Sequence, residues 1–455
     1  MLAIENNQFR VFSAEKFIEG LSNQVSPNNL YTWIGKTTPW SDDSNPPQPN
    51  DTVASRIASF ADMIAAKRVS PSDVSLVIPR NDWTASTVYT QYDDRGSASN
   101  GSGSCYYPSG VYLDQYAPET NSAPFYVITT DNNVYKCLNN ANGSASSNKP
   151  TGISVSPITF ADGYTWKFMF QVSATDAQQF LSPDWIPIHS LTSNDGSLQW
   201  AVQATAIKGA IYNIVVTDPG SYSTTPTITI LGDGGGCVAI AHLTGTALTS
   251  ITVVPGRGYT HATVVFSGSG GGSAHAIISP PGGHGSDPVN ELGAMYVMVD
   301  ILLNYDESNK ITTDNSYRKF GLLLNPLAFN SAYFYFPLVG TLTTNLTLET
   351  VTGSLYPNEI ITGSSSGVTG CIIDYDLAGP NILRVNNIFQ NSASGYASGF
   401  ILNETITASG AIAEIASIVN PDIQPNTGLI LTTEHISPVT RAPAQIEDIK
   451  ITIPF

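Results

Sequence analysis

Residues 31–40 read YTWIGKTTPW and run directly into SDDSNPPQPND at 41–51. Tyr31-Thr32-Trp33-Ile34 is a short run of aromatic and β-branched residues, the composition of a strand. Beyond it Pro39, Pro46, Pro47 and Pro49 fix φ and remove backbone donors. The chain is therefore expected to leave a sheet here as a stiff, extended arm. Trp33 and Trp40 have two readings: large aromatics are mostly core residues, and they are also the type that anchors interfaces. The same choice applies to the arm and to Pro39, Pro46 and Pro47. Either the pre-stiffened segment docks on a partner, losing little entropy, or it wraps its own core.

Working outward, most of the chain reads as short strands between turn clusters. Examples are PFYVITT at 124–130, TWKFMFQV at 165–172, YFYFPLV at 333–339 and DIKITIPF at 448–455. Helices are few. The apolar spacing of Val53, Ile57, Phe60 and Ile64 predicts a helix from Thr52 to about Lys67, closed by Lys67-Arg68. A shorter one is predicted at 174–181, where Ser173 and Asp176 make a capping pattern and Pro183 stops the run. The fold class is mainly β: a multi-domain β-sandwich core with a few flanking helices.

Composition narrows the function. At 455 residues the chain is long enough for about three domains. Charged residues make up only 12%, so solubility rests on Ser, Thr, Asn and Gly, as suits a protein that works inside an assembly. The formal charge of −17 argues against nucleic acid, since each phosphate contact needs a cation. The basic doublets Lys67-Arg68 and Arg318-Lys319 read as helix ends or rim pairs. Cys105, Cys137, Cys237 and Cys371 show no C-x-x-C spacing and are read as reduced thiols made in a cytosol. No run approaches the length of a membrane span, and the N-terminus has no apolar leader.

Two regions contain internal repeats. NIVVTDPGSYSTTPTITILGDGGG at 213–236 aligns with SITVVPGRGYTHATVVFSGSGGG at 250–272, allowing one gap. Each copy carries a strand, a Gly-containing turn, a tyrosine (Tyr222, Tyr259), a second strand and a triple glycine. Such a unit cannot bury its face alone, so the copies should pack on each other. LYPNEIITGSSSGVTGCIID at 355–374 resembles FILNETITASGAIAEIAS at 400–417. Its Asn-Glu pairs, Asn358-Glu359 and Asn403-Glu404, are expected at turns before a strand.

The search for chemistry finds little. GSSSG at 363–367 matches a nucleophile elbow in letters but lies between strands, so a plain turn is expected. The glycine runs at 234–236 and 270–272 lack the last glycine and the helix of a dinucleotide fingerprint. His242, His261, His275 and His284 cluster in the first repeat region at irregular spacings, which does not favour metal. His284 and Asp287 are expected to share a local hydrogen bond, and Asp42-Asp43 and Asp93-Asp94 to be solvated loop acids. No catalytic residue, metal ligand or cofactor is expected.

Several segments occur in a recognisable order: YTWIGKTTPW, LVIPRNDW at 76–83, NVYKCLNN at 133–140, DGYTWKFMFQV at 162–172, DWIPI at 184–188, FGLLLNPL at 320–327 and IEDIKITIPF at 446–455. In this order they resemble the dimeric baseplate wedge subunit of T-even-like contractile-tailed bacteriophages. The resemblance implies a virion structural protein, synthesised in the bacterial host cytoplasm. It further implies a homodimer that bridges other wedge proteins and moves as a rigid body at infection. Against that family the repeat regions look like insertions. The expected division is 1–204 as N-terminal core, 205–287 as first inserted module, 288–335 as core continuation, 336–419 as second inserted module and 420–455 as C-terminal core strands. Two other classes compete. One is a receptor- or glycan-binding tail accessory, contacting a host-surface glycan through Tyr222 and Tyr259. The other is a glycan hydrolase, which needs two facing carboxylates about 5–9.5 Å apart.

Overall fold

The computed structural model describes residues 7–22, 28–94, 125–305, 307, 310–313, 315–376, 381–390, 399–442 and 444–455. Cys105 and the start of the 124–130 run lie outside them. The protein is mainly β, built from several sheets with few helices. It forms two compact units. The first comprises the described residues of Met1–Lys16, Ser75–Met298 and Ile453–Phe455; the second comprises those of Phe17–Val74 and Val299–Thr452.

In the second unit Leu30–Gly35 is the central strand of a five-stranded antiparallel sheet. The order across it is Val339–Thr341, Met63–Arg68, Leu30–Gly35, Asn315–Leu324, Leu429–Arg441. All six residues of the central strand are buried. Trp33 sits opposite Gly321, where any Cβ would strike the Thr432 carbonyl and crowd the indole nitrogen. A glycine at this point is what lets the neighbouring strand close beside a tryptophan.

The expected helix from Thr52 to Lys67 is shorter than its spacing suggested. It covers Val53–Asp62, with the Thr52 hydroxyl accepting from Ser55 N at 3.1 Å. From Met63 the chain is extended, because Ala65 and Ala66 pair with Ile34 and Trp33. A full row of sheet hydrogen bonds and burial on the central strand outweighs one more helical turn. Val53 and Ile57 are consequently exposed at 63% and 52%, so the apolar stripe is not the buried face. The expected strand 333–339 is also corrected. Only Val339 belongs to a strand, since Pro337 cannot donate to a ladder.

The rest of the second unit contains a closed six-stranded barrel. Its order is Thr344–Thr352, Ile382–Gln390, Val368–Asp376, Ile360–Gly363, Thr405–Thr407, Ile412–Val419. The Asn-Glu pairs occupy turns before strands, as expected, with Asn358 and Asn403 in the left-handed region at φ 70° and 64°. The copies repeat their hydrogen bonds. Asn358 N donates to Ile372 O and Ile372 N to Glu359 O; Asn403 N donates to Ile415 O and Ile415 N to Glu404 O. Each glutamate also bonds across to the other copy. Glu359 accepts from Tyr356 N in its own turn and from the Ser409 hydroxyl; Glu404 accepts from Ile401 N and from the Ser366 hydroxyl.

The first unit holds a four-stranded antiparallel sheet ordered Tyr126–Ile128, Asn133–Asn140, Tyr164–Gln171, Ile158–Thr159. Helix Leu198–Ala204, capped by Ser197, packs on strand Tyr164–Gln171. The predicted capping pattern is present: the Ser173 hydroxyl accepts from Asp176 N at 3.0 Å at the start of helix Ala174–Gln179. The helix Asn7–Ser22 was not foreseen, since its apolar residues follow no single face.

The first repeat region builds three antiparallel pairs: Ile211–Asp218 with Ser273–Ile278, Ile228–Gly232 with Ala262–Phe266, and Val238–Thr244 with Ala247–Val254. The copies do pack on each other, and reciprocally. A Cβ on Gly270 would lie 2.2 Å from the Tyr222 ring, and one on Gly234 would lie 2.5 Å from the Tyr259 ring. Each tyrosine thus roofs the glycine run of the opposite copy. Both repeat regions begin and end side by side. Ala210 N donates to the Ser279 hydroxyl at 3.0 Å and Ser279 N to Ala210 O at 2.9 Å. Around the barrel, Thr341 N donates to the Asp422 carboxylate and Asp422 N to Thr341 O, both at 3.0 Å.

Within the second unit, Asp300 and Asp448 share the Lys450 ammonium, at 2.8 Å and 3.0 Å. Burial, with the hydrogen bond to Asp448, pushes Asp300 up to about 6. In the unfolded chain the same carboxyl titrates near 4. The folded state therefore holds the extra proton between those values, and stability from this group is full below about pH 4 and lost as pH rises through about 6. Thermal melts from pH 4 to 7 should show that Asp300→Asn flattens this fall relative to the parent; parallel curves would count against a shared proton.

Candidate functional site

The arm begins at Lys36, at φ 59°, and runs without regular structure to Thr52. It lies along its own sheet. The half-buried Trp40 donates its indole N–H to Ile436 O at 3.1 Å, and its ring centroid is 4.7 Å from that of His435. The ammonium of Lys36 stands 4.5 Å from the ring centroid and that of Lys319 stands 5.7 Å away. Asp43 takes a bidentate pair of hydrogen bonds from Arg318, both 2.7 Å, which holds its carboxyl down to about 2. His435 Nδ1 donates to Pro47 O at 2.7 Å. This is the wrapping arrangement of the two foreseen for the arm. Pro39 and Pro47 remain exposed and Pro46 is half-buried, whereas Trp33 is fully buried in its own core.

The ligand-contact candidates are placed differently from the expectation. Tyr222 and Tyr259 are 4% and 5% exposed and their rings cover glycines, so neither offers a stacking face to a sugar. GSSSG at 363–367 is a turn organised by Glu404, which accepts from Ser365 N, Ser366 N and the Ser366 hydroxyl. Burial would raise this carboxyl, but the hydrogen bonds from Ile401, Ser366 and Ser365 outweigh it and hold the pKa below the usual range. With its pKa held low and its oxygens taken up by backbone N–H groups, Glu404 is a weak base and organises the turn instead of activating Ser366.

The four histidines make separate contacts: His242 with Thr252, His261 with Asp233, His275 with Asp93 and His284 with Glu291. Among the described residues no three His, Cys, Asp or Glu gather as metal ligands. Cys137, Cys237 and Cys371 are free. No described helix is long and apolar enough to cross a membrane.

Instead of the local bond foreseen between His284 and Asp287, a buried ionic cluster is found. Lys136 Nζ donates to Glu291 Oε2 at 2.8 Å with both side chains almost wholly buried, and it lies 4.1 Å from the Tyr92 ring centroid. Glu291 also accepts from Gly285 N at 2.7 Å and Asp287 N at 3.2 Å. His284 stands edge-on to Tyr92, at 4.9 Å between centroids. Burial, then Lys136 and Lys167, drive its pKa well down, so the ring is neutral. Asp287 caps helix Pro288–Leu292. Nothing local in the sequence marks this cluster, because Lys136 and Glu291 are far apart in the chain. Its geometry clamps the return of the first repeat region onto the four-stranded sheet.

A second feature missed from sequence is a run of exposed apolar side chains. Tyr333, Phe334, Phe336 and Leu338 are exposed at 79%, 45%, 50% and 59%. Read as a strand, they would have alternated in and out.

Two substitutions test these placements. Glu291→Gln leaves Lys136 buried without a counter-charge and should cost about 3–5 kcal/mol in denaturant unfolding, largely restored by adding Lys136→Met. Trp40→Ala removes cation–π contacts, a hydrogen bond and packing, and should destabilise by about 1–2 kcal/mol. An unchanged melt would show that the indole adds nothing to its own unit.

Comparison with known proteins gives the geometry a context. The family model described as Bacteriophage T4, Gp8 matches residues 3–189. The baseplate wedge protein gp8 of Enterobacteria phage T4 is 26% identical over 190 residues, covering 37% of this chain. The match spans 55% of that relative's length. The family-model match takes in the arm, the central strand and the four-stranded sheet, and it ends before both repeat regions. Over residues 3–189 the chain is thus similar to the baseplate wedge proteins of the T4 type.

Proposed function

We propose that this chain is a structural subunit of a contractile-tail baseplate wedge, residing in the virion tail and acting as a homodimer that bridges neighbouring wedge proteins. The observation that carries the reading is the match of residues 3–189 to the T4 wedge protein, together with the order of the later segments FGLLLNPL and IEDIKITIPF. The physical character of the surface supports it. With only 12% charged residues, burial in an assembly removes few ions from water. The exposed apolar run Tyr333–Leu338 is the kind of patch that marks a protein contact. No catalytic step is assigned. The acids and serines that resemble catalytic groups in the sequence are occupied in turns, caps and ion pairs.

Light scattering of the purified 48.4 kDa chain should report twice that mass, and mixing with the other wedge proteins of the same phage should give a co-migrating complex. Phe336→Asp with Tyr333→Asp should leave melting nearly unchanged, since exposed residues contribute little to their own fold, while weakening association at least tenfold. A monomer at micromolar concentration that also fails to join its wedge partners would overturn the reading.

A further inference from the structure

The two copies in the first repeat region differ in the turn before the tyrosine. It reads Pro219-Gly220-Ser221-Tyr222 in one copy and Pro255-Gly256-Arg257-Gly258-Tyr259 in the other. In the shorter copy the chain closes over the glycine run: Ser221 N donates to Gly270 O at 2.8 Å and Gly272 N to the Tyr222 hydroxyl at 3.0 Å. In the longer copy Gly235 and Arg257 exchange backbone hydrogen bonds, both 3.0 Å, and Gly258 N bonds Lys208 O at 2.8 Å. Beside Gly234-Gly235-Gly236 this leaves an open cleft of about 870 Å³, lined also by Lys208, Asp233 and Arg257.

The charges in the cleft are uneven in their freedom. Asp233 is occupied, accepting from Thr260 N at 2.9 Å, the Thr260 hydroxyl at 2.6 Å and His261 N at 3.3 Å. Lys208 and Arg257 are exposed, and no described acid pairs with either. Both line the cleft as exposed cations, in a chain of formal charge −17. Gly235 and Gly236 are exposed and nothing lies within 4 Å of where a Cβ on Gly235 would sit, so a ligand can lie over this face, while the Gly235 N–H and C=O are paired with Arg257.

We propose that this cleft binds an anionic saccharide, its phosphate or carboxylate seated between Lys208 and Arg257 and its ring over the open face of Gly235. An arginine fork suits a planar carboxylate or a phosphate. The cleft holds no aromatic anchor of the kind that dominates protein interfaces. The strongly acidic chain disfavours the many phosphate contacts of a nucleic acid. The site does not depend on the wedge reading, since it rests on residues beyond the span matched to the wedge protein.

The test is titration of the intact protein at low salt by NMR or calorimetry, with glucose 1-phosphate, glucuronate, inorganic phosphate, an acidic peptide and neutral glucose. The sugar anions should bind and glucose should not. Lys208→Gln with Arg257→Gln should weaken that binding at least tenfold. Gly235→Trp, whose side chain enters open space, should abolish it without lowering the melting temperature. Unchanged affinity in the double variant, or no binding of either sugar anion to the parent protein, would overturn the proposal. So would inorganic phosphate or the acidic peptide binding as tightly as glucose 1-phosphate.

Discussion

Burial of the strand Leu30–Gly35 along its whole length is the constraint on which the second unit depends. A strand hidden at every residue must have all its backbone groups paired, and that requires neighbours on both edges. Here the neighbours come from residues 63–68 and 315–324, and their outer partners from 339–341 and 429–441. The strand therefore recruits four other stretches of chain into one sheet. It also decides local conflicts. The helix that begins at Val53 ends at Asp62 because Ala65 and Ala66 are needed opposite Ile34 and Trp33. The arm that follows Gly35 is fixed by the same sheet, since Arg318 on a neighbouring strand and His435 on the next supply its contacts.

Both repeat regions solve one problem by the same device. A short β unit has one apolar face and open edges, and a second copy can cover the first. In the first region the lock is tyrosine on glycine, which works because glycine lacks the Cβ that would hold the ring away. In the barrel the lock is glutamate on serine, with each carboxylate reaching the other copy's hairpin. Polar and apolar locks thus give the same reciprocal arrangement. Closure of the barrel also leaves no strand edge free, which limits unwanted pairing in a crowded assembly.

The sequence was most legible where residue chemistry acts over a few positions. The strands at 165–172 and 448–455, the Ser173 cap, the Asn-Glu turns and the packing of repeats all depend on neighbours in the chain or on a copied segment, and they were read correctly. It was least legible where a distant partner decides. The Val53–Ile64 stripe has helical period, yet the central strand takes its last turn. Tyr222 and Tyr259 look like binding tyrosines until the opposite glycine run is seen beneath them. Lys136 and Glu291 carry no mutual signal at all, and only folding brings their charges within 2.8 Å. The candidate site suffered most for this reason. Whether an aromatic is anchor or core is a property of its surroundings, and the sequence supplies those only in pieces.

The paired ends of the two repeat regions have a consequence for how this chain could change over time. Ala210 meets Ser279, and Thr341 meets Asp422, through backbone hydrogen bonds that hold each excursion shut at its base. To the surrounding sheet each excursion is a loop of fixed ends, whatever lies between. Doubling the length of such a loop costs only about 0.6 kcal/mol in closure entropy, less than one good hydrogen bond. Length can therefore be gained or lost within either excursion at little cost in closure entropy. The chain has two ports at which selection can rewrite the periphery while the framework keeps its geometry.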